Sequence, residues 1–368
     1  MKRVSWLDSV RVFSSLLVII SHYVVCFKDF DNFPIMNFCF LYSGYLGVIL
    51  FFAISGYLVN KSLERSSGLL NFYKWRVGRI CIPFATSYFV LGSALMILAV
   101  IAPSLAEYSP FADALDHDGF PKIILLGMIP HDINLTTLLG FGTGGVFVGE
   151  WFIGTIIWLY LLAPFLNKAV RRAPLVTFAA SILISIGTFY AAEEFVKAGI
   201  LIQSWWLFSA RLPEFLAGMI LAVYKDFFEL HRRKILIAAA SWTLIIGSIS
   251  VALNTEIPAL MLRLYPSSPR SLLLSLTTIY LFFALMEYLN QKFPPALAKI
   301  NSFAGISYIS MLIQHIIIYV VTDRLELASL QTFGLIYIWL LITALIVYAS
   351  RFIKNFSDAL ENYFLKRN

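Results

Sequence analysis

The sequence predicts an all-α, polytopic membrane protein of about ten transmembrane helices that enclose a central cavity. Of its 368 residues, 60% are hydrophobic and 13% are charged, and the mean hydropathy is +0.80. A soluble domain is ordinarily about half apolar and about a quarter charged, so this composition excludes an ordinary soluble enzyme. The second observation is a series of apolar stretches of about 20 residues, the length that crosses a bilayer as a helix. These candidate spans are 10–27, 41–60, 80–102, 147–167, 174–191, 206–224, 235–253, 270–289, 303–322 and 331–350.

Most connections between the spans are short, and the exception is the loop 103–146. This loop is polar and rich in turn residues, and its apolar piece 122–130 is too short to span, which predicts a re-entrant or interfacial segment. The N-terminus begins like a signal peptide, but Asp8 and Arg11 interrupt the apolar run, so we expect a retained first span. The chain is therefore predicted to be one transmembrane domain, 1–368, without a soluble C-terminal domain.

The distribution of lysine and arginine predicts the orientation. If the ten spans alternate, segments on the side of the N-terminus hold 20 of the 28 basic residues, the opposite side holds six, and two lie within spans. Cytoplasmic loops of membrane proteins carry such an excess. Both termini are therefore expected in the cytoplasm and the loop 103–146 outside. The net charge of +7 then reflects topology, and no nucleic-acid partner is expected.

Ionisable residues inside the predicted spans mark a candidate catalytic site, because charged side chains in lipid are costly and usually functional. His22 and His315 each lie 12 residues past the cytoplasmic start of their spans, roughly 18 Å deep at the rise of an α-helix. Arg211 and Glu214, three residues apart in the span 206–224, fall at a comparable depth. We expect these four side chains to meet in a buried polar cavity.

Each of these residues also has a structural interpretation. A lone intramembrane histidine often forms a hydrogen bond between helices, and Arg211 and Glu214 at this spacing are able simply to neutralise each other. Glu150 and Trp151, at the outer start of the fourth span, are either interfacial residues or part of a substrate-binding site.

The three cysteines show no metal-type spacing, so no metal cofactor is expected. Cys26 and Cys39 are predicted on one side of the membrane. A disulfide between them and free thiols at all three positions, Cys81 included, both remain open.

The cytoplasmic edge of the third span carries Lys74, Arg76 and Arg79. Arg76 and Arg79 share one helical face, and guanidinium groups bind phosphate oxygens in a bidentate way, which predicts a phosphate clamp. The alternative is ordinary anchoring by basic residues at a cytoplasmic boundary. In the second span, the small pair Ser55 and Gly56 allows close approach of another backbone or of a slender ligand.

Taken together, these segments resemble the acyltransferase-3 family of integral membrane acyltransferases. The resemblance implies a ten-helix enzyme of the bacterial inner membrane. Such an enzyme moves an acyl group, most often acetyl, from cytoplasmic acetyl-CoA or another acyl-CoA to a hydroxyl of an envelope or exopolysaccharide sugar. The segments that carry it follow the family's order: WLDSVRVFSSLLVIISH, FFAISGYLV, RVGRICIP, EWFIGTIIWLYLLAPFL, RLPEFLAGMIL and GISYISMLIQH.

By position, the resemblance makes His22 the active-site histidine. It also implies donor-binding roles for five residues, matched motif by motif: Arg11, Ser55, Gly56, Arg76 and Arg79. Two positions depart from the family, because Ser9 and Val12 stand where it often has glycine on either side of the first arginine.

The expected reaction uses His22 as a general base, with an acyl-histidine intermediate as the other route. Arg211 or His315 would stabilise the oxyanion, and Glu214 would orient a partner. The expected partners are acyl-CoA, a lipid-linked or polymeric glycan, the bilayer and polysaccharide-synthesis machinery.

A transporter or flippase for a glycan explains many spans and buried charges equally well, and a glycan-binding sensor is the third possibility. Label transfer from acetyl-CoA discriminates among them.

Overall fold

A computed structural model describes residues 5–26, 34–111, 147–200, 202–252, 269–325 and 332–365. Across these ranges the regular structure is helical and contains no strand. The predicted all-α, polytopic membrane fold is confirmed. The described helices are α1 (Ser5–Val25), α2 (Pro34–Leu63), α3 (Leu69–Ala99), α4 (Glu150–Arg172), α5 (Pro174–Lys197), α6 (Leu212–Val223), α7 (Lys225–Leu230), α8 (Arg232–Ala252), α9 (Pro269–Lys292), α10 (Pro294–Asn301), α11 (Ser307–Thr322) and α12 (Thr332–Phe364).

Each of the ten predicted spans overlaps one of these helices. By length and composition, six described helices are able to cross a membrane, namely α1 to α5 and α12. A seventh span results if Pro294–Gly305 and Ser307–Thr322, which meet at a bend of 66°, are counted together. The sixth predicted span, 206–224, holds only the 12-residue helix α6, because Pro213 lies in the first turn and sets a late start. The number ten therefore stays a prediction.

The contacts of the chain divide it into two compact units. Unit 1 contains Met1–Ser21, Phe30–Phe72 and Trp158–Ala304, and unit 2 contains His22–Asp29, Tyr73–Ile157 and Gly305–Asn368. The divisions fall within α1, α3 and α4. A single domain over 1–368 stays a prediction. Of the loop 103–146, only the part up to residue 111 is described, and the apolar piece 122–130 lies outside the described residues.

In unit 1, α2 and α6 pack backbone against backbone. A Cβ added to Gly56 would lie 1.9 Å from the carbonyl oxygen of Phe215, and one added to Gly218 would lie 1.8 Å from that of Ala53. Only glycine permits so close an approach at both positions. The apolar core beside this contact draws on α1, α2 and α9 and includes Leu7, Val10, Ile49, Leu50, Ile54, Ile279 and Phe283.

The basic ends of several helices in unit 1 meet. Arg171, near the end of α4, forms an ion pair with Glu64, which follows α2. Arg232, at the start of α8, pairs with Glu287 near the end of α9 at 3.1 Å. Alternating spans predict that these ends lie on one side, and the contacts agree with this. Which side faces the cytoplasm stays a prediction.

In unit 2, α11 is held by polar contacts to two other helices. The hydroxyls of Ser310 and Ser350 share a hydrogen bond of 2.8 Å between α11 and α12. The Tyr308 hydroxyl donates to the carbonyl oxygen of Ile80 in α3 at 3.2 Å. These bonds satisfy polar groups in an apolar setting, and they fix the helix that carries His315.

Candidate functional site

His22 and His315 lie together in unit 2. Their ring centroids are 5.3 Å apart, and the ring planes meet at 86°, an edge-to-face arrangement. The His315 ring also contacts Tyr319, one turn further along α11, with centroids 4.6 Å apart. The Tyr319 side chain is 42% exposed, whereas both histidines are half-buried. The prediction that two helices bring these histidines to one level is confirmed, and their catalytic role stays a prediction.

His22 lies in the last turn of α1. The helix begins at Ser5, five residues before the predicted span, so 17 residues separate its start from His22. That is about 26 Å along the axis, compared with about 18 Å expected from the shorter span. The C-terminal turn of a helix favours positive charge. This position therefore suits an imidazole that gains a proton during a reaction.

Glu150 begins α4, directly after Gly149, whose φ of 74° is the left-handed conformation that favours glycine. The Glu150 side chain is 3% exposed, and its carboxylate accepts the backbone N–H of Val148 at 3.0 Å. The interfacial interpretation of Glu150, which concerns its depth in the membrane, stays a prediction. Trp151 packs edge-to-face against Phe152, with centroids 6.0 Å apart. A substrate-binding role for Glu150 and Trp151 stays a prediction.

Arg211 and Glu214 form a buried ion pair in unit 1. The Nη1–Oε1 distance is 3.1 Å, and the side chains are 1% and 0% exposed. The guanidinium lies over the ring of Tyr45, 5.3 Å from its centroid, and the Tyr45 hydroxyl shares a hydrogen bond of 2.7 Å with Ser275. Among the described residues, Glu214 Oε2 has no hydrogen-bond partner. The predicted pairing is present, while a common level with the histidines stays a prediction.

Arg76 and Arg79 lie one turn apart near the start of α3, in unit 2. Arg76 is half-buried, and Arg79 and Lys74 are exposed. The Arg79 guanidinium lies over the Trp75 ring, 5.6 Å from its centroid, and interacts electrostatically with Glu361 of α12. These contacts hold one guanidinium against an aromatic face and leave its hydrogen-bond donors accessible. Donor binding by this group stays a prediction.

The other predicted donor-binding residues lie in unit 1. Gly56 contacts the backbone of α6, so the absence of a side chain at this position serves the close packing of α2 against α6. Ser55 is half-buried. Arg11 pairs with Asp8 at 3.5 Å, with side chains 34% and 6% exposed. A role of Arg11, Ser55 or Gly56 in donor binding stays a prediction.

The sequence profile of the family described as Acyltransferase domain matches residues 4–352, nearly the whole chain. The chain belongs to the acyltransferase-3 family. Its fold and its family together make it a multi-pass membrane acyltransferase. Comparison with curated proteins and comparison with solved structures gave no match. The resemblance inferred from the ordered motifs is thereby confirmed.

Unit 1 of this acyltransferase contains a polar cluster that the sequence analysis did not predict. The Ser9 hydroxyl donates to Asn301 Oδ1 at 2.6 Å, Asn301 Nδ2 donates to Asn290 Oδ1 at 3.2 Å, and Asn290 Nδ2 donates to Ser9 Oγ at 2.7 Å. The closed ring joins α1, α9 and α10. Ser9 stands where the family often has glycine, and its hydroxyl is fully buried in this ring.

Cys26 and Cys81 of the acyltransferase are free thiols. The free thiol of Cys26 argues against a disulfide with Cys39, whose side chain lies outside the described residues. Within the described ranges, no three His, Cys, Asp or Glu side chains are grouped so as to hold a metal ion.

Proposed function

We propose that this acyltransferase moves an acyl group, with acetyl as the first candidate, from acyl-CoA to a sugar hydroxyl. The donor binds from the cytoplasm. The acceptor is an envelope glycan or exopolysaccharide, lipid-linked or polymeric, reached from the outer side of a bacterial inner membrane. The observation that carries the proposal is the contact of His22 with His315, whose rings are 5.3 Å apart. Imidazole is the side chain whose pKa ordinarily lies close to neutral pH, as a general base requires.

In the proposed reaction, His22 accepts the proton of the sugar hydroxyl while the hydroxyl oxygen attacks the thioester carbonyl carbon. The tetrahedral intermediate then breaks its carbon–sulfur bond. The CoA thiolate takes the proton from the His22 imidazolium, so the products are the sugar ester and free CoA. Positioned general-base catalysis contributes about 10²–10⁴-fold to such a rate. If His22 itself attacks the thioester, an acyl-histidine forms first and gives the same products in two steps.

His315 is proposed to hold the His22 ring in its reactive orientation. In an edge-to-face pair, the positive edge of one ring meets the negative face of the other. The contact of His315 with Tyr319 restrains it in turn. Arg211 and Glu214 keep their predicted roles at the oxyanion as part of the proposal, although their mutual ion pair already occupies Arg211 Nη1 and Glu214 Oε1.

Arg76 and Arg79 are proposed to bind the CoA phosphates, with Lys74 as an additional cation. Their spacing of three residues on α3 supports this, because both guanidiniums then extend from one helical face. Glu150 and Trp151 are proposed to bind the acceptor sugar, since carboxylates accept hydrogen bonds from sugar hydroxyls and an indole ring covers an apolar sugar face. Polysaccharide-synthesis machinery is the proposed supplier of the acceptor.

The deciding experiment is transfer of radiolabel from acetyl-CoA to isolated envelope glycan by the purified protein in lipid nanodiscs. His22→Ala should lower transfer by at least about 100-fold, because the general base is lost. His231→Ala, a histidine of unit 1 outside the pair, is the matched control and should keep wild-type activity. Normal transfer by His22→Ala would overturn the assignment. Movement of glycan across the bilayer without labelling would favour the transporter alternative.

A second experiment tests the phosphate clamp by calorimetric titration of CoA. Charge-assisted hydrogen bonds are worth about 1.5–3 kcal/mol each, so Arg76→Ala with Arg79→Ala should weaken CoA affinity by at least about 10-fold. Arg233→Ala, an exposed arginine at the start of α8, should leave the affinity unchanged. Equal affinity in the double variant and the control would contradict the clamp.

A further inference from the structure

An aromatic recess in unit 1 has no role in the proposed chemistry. Five rings from α1, α2, α7 and α9 form most of its walls. Trp6 contacts Tyr57 and Phe283, with centroids 5.6 Å and 5.2 Å apart, and Phe228 contacts Tyr280 at 5.7 Å. Several flat apolar faces thus surround a single space, an arrangement that suits a planar ring as ligand.

Charged side chains stand at the edge of this recess. Lys225 pairs with Glu229 at 3.0 Å, and Arg232 pairs with Glu287 at 3.1 Å. Hydrogen bonding to Glu229 raises the pKa of Lys225, so its ammonium stays charged at neutral pH. The recess therefore offers cationic donors and carboxylate acceptors around an aromatic interior.

A third cation lies next to the recess. The Lys61 ammonium sits 4.7 Å from the centroid of the Tyr57 ring and is repelled electrostatically by Lys225 and Arg65. Repulsion between like charges is unfavourable, and a bound anion near Lys61 and Lys225 would offset it. An aromatic interior with cations and carboxylates at its edge is complementary to a base that carries a phosphate, because the cations suit the phosphate and the carboxylates suit an amino group on the base.

We propose that this recess binds an adenine nucleotide, with the base among the rings and a phosphate at Lys61 and Lys225. Glu229 and Glu287 are the acceptors for the exocyclic amino group. A phospholipid headgroup would supply a phosphate but no planar ring, and the five aromatic walls favour the base. The recess lies at the end of unit 1 where the basic helix ends meet, the end predicted to face the cytoplasm.

The ligand has two possible sources. One is the nucleotide end of the acyl-CoA donor; that source rests on the proposed function and would place one CoA phosphate at Lys61 and Lys225 instead of at Arg76 and Arg79. The other is a free adenine nucleotide. Both share the same chemistry, so binding and transfer must be measured separately to distinguish them.

The binding experiment uses the full-length protein in nanodiscs with adenosine 3′,5′-bisphosphate and with AMP as probes. Stacking of a base on an aromatic side chain is worth about 1–3 kcal/mol, so Phe228→Ala should weaken binding by about 5- to 150-fold. The matched control is Phe227→Ala, whose ring is 55% exposed and does not line the recess. Phe228→Leu keeps apolar volume without the ring and should also weaken binding, which separates stacking from loss of folding.

The transfer experiment compares acetyl-CoA with acetyl-pantetheine, which has no nucleotide. A rise of about 10-fold in KM for acetyl-CoA in Phe228→Ala, with KM for acetyl-pantetheine unchanged, assigns the recess to the donor. Weakened nucleotide binding with both KM values unchanged assigns it to a free nucleotide. If neither probe binds, or Phe228→Ala and Tyr280→Ala bind both probes as the wild type does, the proposal is overturned. Absence of transfer by the wild type contradicts the proposed function alone, because nucleotide binding is read without catalysis.

Discussion

Replacing Gly56 with alanine should force α2 and α6 apart. The new Cβ would lie 1.9 Å from the Phe215 oxygen and 3.2 Å from the Met219 nitrogen. Non-bonded carbon and oxygen atoms rest at about 3.3–3.6 Å, so the helices must separate by more than about 1 Å. Both contacting atoms belong to the backbone, and no side-chain rotation is able to relieve the clash.

The expected cost follows from two opposing effects. Overpacking of a well-packed interior costs about 1–3 kcal/mol, and the upper end applies to a rigid backbone contact. Alanine is about 1 kcal/mol more favourable than glycine within a helix. We therefore expect Gly56→Ala to lower the free energy of unfolding by about 2 kcal/mol. Gly218→Ala should act similarly, and the double variant should cost less than the sum, since helices separated once accommodate a second methyl group.

The assay is denaturant unfolding of the purified protein in mixed micelles, followed by tryptophan fluorescence. Gly187→Ala is the control, because a Cβ at this position in α5 meets nothing within 4 Å. That variant should be as stable as the wild type or slightly more stable. Equal stability of Gly56→Ala and Gly187→Ala would refute the close approach of α2 and α6.

Two further predictions concern ionisable groups. Glu214→Gln should destabilise the protein by about 3–5 kcal/mol, because Arg211 keeps a buried charge without its counter-ion. Adding Arg211→Met to Glu214→Gln removes that charge, so the double variant should recover much of the lost stability in the same unfolding assay. A stability for Glu214→Gln within error of the wild type would contradict the buried pair. The hydrogen bond to Asp323 raises the pKa of Tyr108 to about 12. Since this exceeds the ordinary value of 10.0, the bond stabilises the fold below pH 10 and is lost as the pH rises through about 12. Tyr108→Phe should remove that alkaline step from the unfolding curve, and a step of the same size in the variant would assign it to another group.

The class of fold follows from composition because lipid requires long apolar helices, and each predicted span does contain a helix. Helix ends were less predictable. The predicted span 10–27 begins five residues after α1 does, because the charge of Asp8 lowers the hydropathy of the first turns of this helix. In the structure, Asp8 is 4% exposed and paired with Arg11, so both remain within the helix. A boundary set by such partners is not visible in a hydropathy pattern.

Parts of the candidate site could be predicted from the spacing of residues along single helices. Arg211 and Glu214 stand three residues apart, a spacing that predicts their ion pair directly. His22 and His315 shared a predicted depth, and the structure brings their rings together. By contrast, the rings of the aromatic recess come from four helices, and no local spacing signals such a cavity.

The hydrogen-bonded ring of Ser9, Asn290 and Asn301 has a consequence for the evolution of the family. Each side chain donates once and accepts once within the ring, so changing one member leaves the other two without one of their ring partners. A homologue with glycine at the position of Ser9 should therefore carry different residues at both asparagine positions. These three sites, as many as 292 residues apart in the chain, are expected to covary as a single inherited unit.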